Sequence, residues 1–155
     1  MRTSAVICEF NPIHLGHKYI LSKAREIAGD DGCVIAVMSG NFCERCTPAV
    51  YDKYTRAHSA VLCGADIVLE LPFPWCSSGV EDFALGGVYI AASLGADTLT
   101  FGSESGNAEM IKTCADIKSS EEFIKALREL ESRERQTGSA LILPSEQTTS
   151  SARNT

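Results

Sequence analysis

Short apolar runs alternate with amphipathic stretches along the first 135 residues, a pattern typical of a parallel α/β sheet. The apolar runs predict four strands, at about Ser4–Cys8, Cys33–Met38, Ile67–Leu71 and Thr98–Gly102. Apolar residues at helical spacing predict five helices, at about Gly16–Ala28, Val50–Leu62, Ser77–Leu94, Asn107–Lys118 and Ser120–Arg135. The second strand is almost wholly apolar, as expected of a strand covered by helices on both faces.

Three polar loops follow strands of this predicted sheet. One carries residues 9–14, a second spans Ser39–Pro48, and a third, Gly102–Gly106, is bracketed by glycines. Parallel strands end at a common edge, where open α/β sheets bind their ligands. We therefore predict a Rossmann-like parallel sheet sandwiched by helices, with these loops converging on one site.

The alternation of apolar runs and amphipathic stretches ends after Thr137. Residues 138–155 hold one apolar triplet, Leu141–Leu143, and are otherwise rich in serine and threonine, which predicts a mobile tail. The chain has 155 residues, the size of one domain with its own core. We therefore predict a single domain over 1–137 followed by the tail.

Composition narrows the classes of function. The formal net charge is −6, so the chain lacks a global basic surface for nucleic acid, and an RNA partner would need a local patch or further protein. No segment approaches the ~20 apolar residues that span a bilayer. The N-terminus also lacks a charged region followed by a long apolar core. We expect a cytoplasmic protein without a membrane association.

Seven cysteines are an odd number, and most lie in predicted strands or helices. Cys8, Cys33 and Cys63 are expected to be small core residues. Cys43 and Cys46 form a C-x-x-C, which leaves zinc binding or redox chemistry open. No second C-x-x-C or nearby histidine pair completes a four-ligand site, so reduced thiols and no metal are the prediction.

The main chemical signal is His14-Leu15-Gly16-His17, at the point where the first strand passes into the first helix. Gly16 lets a phosphate approach the backbone, the helix N-terminus offers unpaired N–H groups, and two imidazoles can donate to a phosphoryl oxygen. This combination suits a reaction at the α-phosphate of ATP or CTP. His14 and His17 are the predicted catalytic residues.

This H-x-G-H resembles the signature of the adenylyltransferase superfamily that includes class I aminoacyl-tRNA synthetases. A closer resemblance, to the bacterial tRNA(Met) cytidine acetate ligase family, spans about Ala5–Leu130. It is carried by blocks in the same order, namely Phe10–His17, Val37–Phe42, Pro48–Val50, Lys53 with Arg56, Gly64–Pro72 and Phe101–Glu104.

The resemblance implies the fold of the HIGH nucleotidyltransferases and an ATP-dependent ligase. Acetate would be adenylated, and its acetyl group would then pass to N4 of the wobble cytidine of elongator tRNA(Met). ATP with Mg²⁺, acetate and tRNA are the implied substrates. Adenylation mainly requires positioning and the neutralisation of charge that develops on the phosphates.

The resemblance also implies which residues surround ATP. These are Ile7, Cys8, Glu9, Phe10, Asn11, Pro12, Ile13, His14, Leu15, Gly16, His17, Lys18, Tyr19, Ile20 and Gly102. Asn11 could equally hold the shape of the turn. Arg45, Lys53 and Arg56 are candidates for phosphate or tRNA contacts, and a solvated loop or helix face is the alternative for Lys53 and Arg56.

The chain departs from the family in two respects. Cys46 stands where the family usually has a glycine, and the family continues well beyond this length. We therefore expect either a fragment or a short relative, which could self-associate through surfaces that the missing part would cover. A small nucleotidyltransferase acting on a phosphorylated metabolite, and a non-catalytic nucleotide-binding module, stay open as alternatives.

Overall fold

The computed structural model describes residues 1–137, and the predicted tail 138–155 lies outside them. Its strands are β1 (Thr3–Cys8), β2 (Cys33–Ser39), β3 (Ile67–Leu71) and β4 (Thr98–Leu99). Its α-helices are α1 (Leu15–Ala28), α2 (Lys53–Leu62), α3 (Val80–Ser93), α4 (Ala108–Lys118) and α5 (Glu121–Thr137). Short 3-10 turns occupy Glu44–Cys46 and Trp75–Ser77.

The four strands are parallel and lie in the order β3-β2-β1-β4. The chain moves outwards from β1 through β2 to β3, and then returns to the other side of β1 for β4. The loops after β1 and β4 therefore leave the same edge on either side of a reversal in strand order. Such a switch point opens a crevice, where ligands of open α/β sheets bind.

Helices cover both faces of the sheet. Leu21 and Ala24 of α1 and Ala60 of α2 pack with Val6 and Val34 in one buried cluster. The second cluster lies on the other face, and its members are Ala5, Cys33, Ile35, Val37, Leu71, Cys76 and Ala91 of α3. The predicted α/β sandwich is confirmed, and every residue of β2 is buried, as its apolar sequence predicted.

Close packing of α3 depends on two adjacent glycines. A Cβ at Gly86 would lie 2.6 Å from the Trp75 ring, and one at Gly87 would lie 2.6 Å from Cγ2 of Ile7. Both distances are shorter than carbon atoms tolerate. The glycines thus let the helix backbone lie directly against β1 and the Trp75 turn.

Three predicted boundaries were wrong, each for a local reason. Strand β4 ends at Leu99 rather than at Gly102, because only Ser4 and Ala5 pair with it before the chain turns away. Helix α2 begins at Lys53 rather than at Val50, since the Asp52 carboxylate caps it. Helix α3 begins at Val80 rather than at Ser77, because residues 75–77 form a separate turn.

Arg25 joins neighbouring elements at the end of the sheet where the strands begin. Arg25 of α1 donates to the carbonyl of Gly32 at 2.8 Å and forms an ion pair with Asp66. The same carboxylate accepts from the N–H of Val34 at 2.7 Å. Helix α1 and the starts of β2 and β3 are therefore joined at the end of the sheet opposite the crevice.

The chain forms two compact units, Met1–Glu104 and a second that begins at Ser105. The first contains the sheet and α1–α3. In the second, α4 packs against α5, and the Asn107 side chain caps α4 by accepting from the N–H of Met110 at 3.0 Å. The grouping of both units into one domain, 1–137, stays a prediction.

Candidate functional site

A tight turn leads from β1 into α1. Phe10 is 1% exposed and has a φ of +49°. The left-handed region is uncommon for a residue with a large side chain and often marks functional sites. The ring of Phe10 packs edge-on against that of His17, with centroids 5.0 Å apart. The buried ring of Phe10 thus joins the turn to the ring of His17.

His14 and His17 begin α1 through a reciprocal pair of hydrogen bonds. Nδ1 of His14 accepts from the N–H of Gly16 at 3.1 Å, and Nδ1 of His17 accepts from the N–H of His14 at 3.3 Å. This is the geometry of a capping box, with histidines in place of the usual serine and glutamate. The two rings stack with centroids 3.7 Å apart.

The capping bonds decide which nitrogen of each ring carries the proton. A neutral imidazole nitrogen that accepts a hydrogen bond is unprotonated, so both rings carry their proton on Nε2. Burial lowers the pKa of His17 below the ordinary 6.5, and the neighbouring His14 lowers it further. The motif therefore presents two Nε2–H donors beside the N-terminus of α1, where an anion is favoured.

The loop after β2 is fastened onto this turn. The Asn11 side chain accepts from the N–H of Val50 at 2.7 Å, and the Glu9 carboxylate accepts from the N–H of Glu44 at 2.7 Å. Asn11 therefore shapes the turn, one of its two predicted roles. The contact of Glu9 was not predicted, and only its position beside the motif could have indicated it.

This loop carries Arg45 on unusual backbone geometry. Arg45 and Cys46 have φ values of +57° and +60°, and the Arg45 side chain is 77% exposed. Its guanidinium lies 3.2 Å from the Glu44 carboxylate. The glycine that the family has at position 46 now has a physical explanation, because glycine adopts positive φ without steric cost.

Lys53 and Arg56 have different surroundings. Lys53 is the first residue of α2, and it donates to the Glu70 carboxylate at 2.6 Å. Arg56 is 2% exposed, so the solvated helix face proposed for it is wrong. Its guanidinium points inwards because main-chain carbonyl oxygens of three segments surround it.

Gly102 lies in the loop after β4, close to α1. A Cβ at this position would come within 3.3 Å of Cδ1 of Ile20, a tight but not prohibitive contact. The structure therefore brings Gly102 and Ile20 together at the crevice between the ends of β1 and β4. Contact of either residue with a ligand stays a prediction.

The other residues of the predicted ATP site divide into two groups. Ile7 packs on Gly87, and the Cys8 side chain lies in the core with its Sγ donating to the carbonyl of Val37 at 3.6 Å. Burial raises the pKa of the Cys8 thiol far above its ordinary range. A ligand could reach Cys8 only through its backbone, whereas the side chain of Ile7 is partly exposed. The partly or fully exposed group is Pro12, Ile13, Leu15, Gly16, Lys18 and Tyr19.

The C-x-x-C residues face different surroundings. Cys43 is buried with its Sγ 3.4 Å from the Ser39 hydroxyl, whereas the exposed Cys46 directs its Sγ to the carbonyl of Ser77 at 3.5 Å. Among the side chains that the structure describes, no three of His, Cys, Asp or Glu gather as a metal site would require. Helices in this part of the chain are too short or too polar to cross a membrane.

A parallel sheet with a crevice at its strand reversal, and H-x-G-H capping the helix beside that crevice, together define a nucleotidyltransferase-type site. The chain belongs to the HIGH Nucleotidyl Transferase family, whose model matches residues 1–142.

Particular relatives have a more specific name. The chain is 45% identical over 117 residues to the tRNA(Met) cytidine acetate ligase of Syntrophotalea carbinolica, covering 76% of this chain and 28% of that protein. The ligase of the same name from Exiguobacterium sibiricum is 50% identical over 110 residues, covering 70% of this chain and 28% of the relative. The chain thus spans little more than a quarter of these relatives.

A solved structure agrees in fold and sequence. Thermotoga maritima TmcAL, crystallised with alpha-thio ATP, matches with a TM-score of 0.76 and 41% identity, over 90% of this chain and 33% of that one. The resemblance predicted from the sequence blocks is confirmed by these similarities. The roles of the individual site residues stay predictions.

Proposed function

We propose that this chain binds ATP at the turn between β1 and α1 and is the nucleotide-binding part of a tRNA(Met) cytidine acetate ligase. The observation that carries the proposal is that Nδ1 of both His14 and His17 accepts a hydrogen bond from a backbone N–H. Each Nε2–H would then donate to a phosphate oxygen bound at the helix N-terminus. The ATP analogue in the related Thermotoga structure supports the choice of nucleotide.

The proposed first step is adenylation of acetate. A carboxylate oxygen of acetate attacks the α-phosphorus, the bond to the bridging oxygen of pyrophosphate breaks, and acetyl-adenylate and pyrophosphate form. His14 and His17 would donate to the phosphate oxygens as negative charge develops on them. In the second step the N4 amine of cytidine attacks the acetyl carbonyl and AMP leaves, while the amine loses a proton.

Magnesium would enter as a partner of the ATP substrate. Mg²⁺ commonly keeps several waters and is bound through substrate phosphates with one or two carboxylates. That mode fits a region whose described residues hold no cluster of three ligands. The tRNA would meet cations at this edge, where Arg45 is exposed, and would need the remaining length that the relatives have.

The test is pyrophosphate release from ATP and Mg²⁺, run with acetate, with tRNA, with both and with neither. Acetate-dependent release would support the proposal. Release without acetate would favour a nucleotidyltransferase acting on another substrate. ATP binding without release would indicate a nucleotide-binding module, and absence of ATP binding would overturn the proposal.

The histidines need a matched comparison in the same assay. His17→Ala removes the proposed donor and should lower turnover about 100-fold or more, since loss of one such donor costs that much in other enzymes. His58 lies on α2, and His58→Ala should leave turnover unchanged. Full turnover by His17→Ala would exclude the proposed role.

A further inference from the structure

Arg56 is a fully buried cation at the base of the nucleotide turn. Its Nε donates to the carbonyl of Tyr51 at 3.0 Å, and one Nη donates to the carbonyl of Ser39 at 3.2 Å and also to that of Gly40. The other Nη donates to the carbonyl of Glu9 and lies 3.4 Å from the Ser39 hydroxyl. The fork of donors is thus occupied by the main chain.

These acceptors belong to three separate segments. Glu9 directly precedes Phe10, the residue with a φ of +49° that opens the turn. Ser39 ends β2 and Gly40 follows it, and Tyr51 lies just before α2. A planar guanidinium with five N–H donors can hold all three at fixed angles, whereas the ammonium of lysine has three donors and no fork.

The charge of Arg56 has no carboxylate partner. Among the side chains that the structure describes, no Asp or Glu forms an ion pair with it, although arginine stays protonated at any physiological pH. Carbonyl dipoles satisfy its donors but do not cancel a full positive charge. A buried charge is costly unless it is paired, so an anion bound nearby would be favoured.

We propose that Arg56 is a positioning residue for nucleotide binding. It holds the turn through the carbonyl of Glu9, and the negative charge of the bound nucleotide's phosphates balances its positive charge. This inference deepens the proposed function and rests on it. Arg56 acts from beneath the turn and makes no direct contact with the ligand. It differs in this respect from a surface cation that binds phosphate itself.

Arg25 provides a matched control. It also joins separate segments through main-chain carbonyls, but it lies at the opposite edge of the sheet and is paired with Asp66. A purely structural role predicts that Arg56→Lys and Arg25→Lys both lower the free energy of unfolding, more at the buried Arg56 than at Arg25, whose side chain is 30% exposed, and that neither changes the affinity for ATP relative to AMP. The proposal predicts that only Arg56→Lys affects nucleotide binding and the exchange of the turn amides.

The experiment compares the unaltered 155-residue chain with Arg56→Lys, Arg56→Met and Arg25→Lys. Affinities for AMP, ADP and ATP are measured by calorimetry, and hydrogen exchange is followed at the amides of residues 10–14. Removing the charge in Arg56→Met should weaken ATP binding roughly tenfold or more, with a smaller loss for each phosphate removed. Arg56→Lys, which keeps a charge but loses the fork, should speed amide exchange in the turn.

Several results would overturn the inference. Equal losses for AMP and ATP would exclude the role of the charge, and unchanged exchange in Arg56→Lys would exclude the positioning of the turn. Equal effects of Arg25→Lys would reduce Arg56 to general stability. If the unaltered chain binds no nucleotide, the proposed function and the counter-charge role both fail, while exchange still decides whether Arg56 holds the turn.

Discussion

Two histidines serve both the first helix and the site. Nδ1 of each ring accepts from a backbone N–H at the start of α1, of His14 or of Gly16, and Nε2 is the remaining donor of each ring. Protonating Nδ1 would remove the acceptor and place two cations in stacked rings 3.7 Å apart. Helix capping through Nδ1 therefore requires the neutral ring, in which Nε2–H is still able to donate to a ligand.

This coupling predicts a pH dependence of stability. Since burial and His14 lower the pKa of folded His17, the unfolded chain takes up the proton more readily, and stability falls as the pH falls below about 6.5. His17→Gln keeps an acceptor for the His14 N–H but cannot titrate. Denaturant unfolding between pH 5 and 8 should show a shallower loss in this variant.

Two outcomes of this comparison would contradict the predicted role of His17. A parallel loss of unfolding free energy in the unaltered chain and in His17→Gln would mean that other groups produce the pH dependence. A gap between the two that is constant with pH would indicate a capping difference rather than the titration of His17.

Cys46 predicts a gain in stability from a single substitution. Its φ of +60° is unfavourable for any residue with a Cβ, by about 1 kcal/mol or more, and glycine removes that cost. Because glycine also has greater freedom in the unfolded chain, we expect Cys46→Gly to raise the free energy of unfolding by about 0.5 kcal/mol.

Cys46→Ala is the matched control for this substitution. It removes the same thiol but keeps the Cβ, so chemical denaturation should show no gain. Equal stabilities of the two variants would exclude backbone strain at position 46 as the cause.

At the scale of elements, helix α3 packs closely on the sheet because two of its residues are glycines without side chains. Gly86 and Gly87 allow its backbone to meet the Trp75 ring and Ile7, so β1 and α3 lie closer than ordinary residues permit. This contact lies on the face of the sheet opposite α1, and it fixes β1 just before the strand enters the turn that leads to α1.

Gly87→Ala should therefore destabilise the chain by overpacking, by about 1–3 kcal/mol. Ile7→Ala removes the atoms that the new methyl group would meet, so the double variant should cost less than the sum of the two single changes. A double-mutant cycle by chemical denaturation measures this coupling. Strict additivity would show that α3 moves away without resistance.

The elements themselves were largely predictable, because apolar runs and helical spacing are local properties of the sequence. Their ends were less so: β4 stops where its partner residues in β1 run out, and α2 starts where Asp52 caps it. The histidines were found because a motif is contiguous. The burial of Arg56 was missed, since its acceptors lie up to 47 residues away and main-chain carbonyls carry no sequence signal.

At the scale of the whole molecule, the sheet and both core clusters lie within Met1–Glu104. We expect residues 1–104 to fold cooperatively without the remainder. The chain has a single tryptophan, Trp75, and it packs against the second cluster, so its fluorescence reports this core. A sigmoidal denaturant transition in the truncated chain would agree with the expectation, and a gradual one would contradict it.

The strand order also has a consequence for synthesis on the ribosome. Strand β1 is made first but lies inside the sheet, and one of its neighbours is β4, with Ser4 beside Thr98. Contacts over such separations form late and slow folding. The growing chain must therefore hold an apolar segment without its final partner until about one hundred residues have emerged, and the crevice between the ends of β1 and β4 forms only when that last strand arrives.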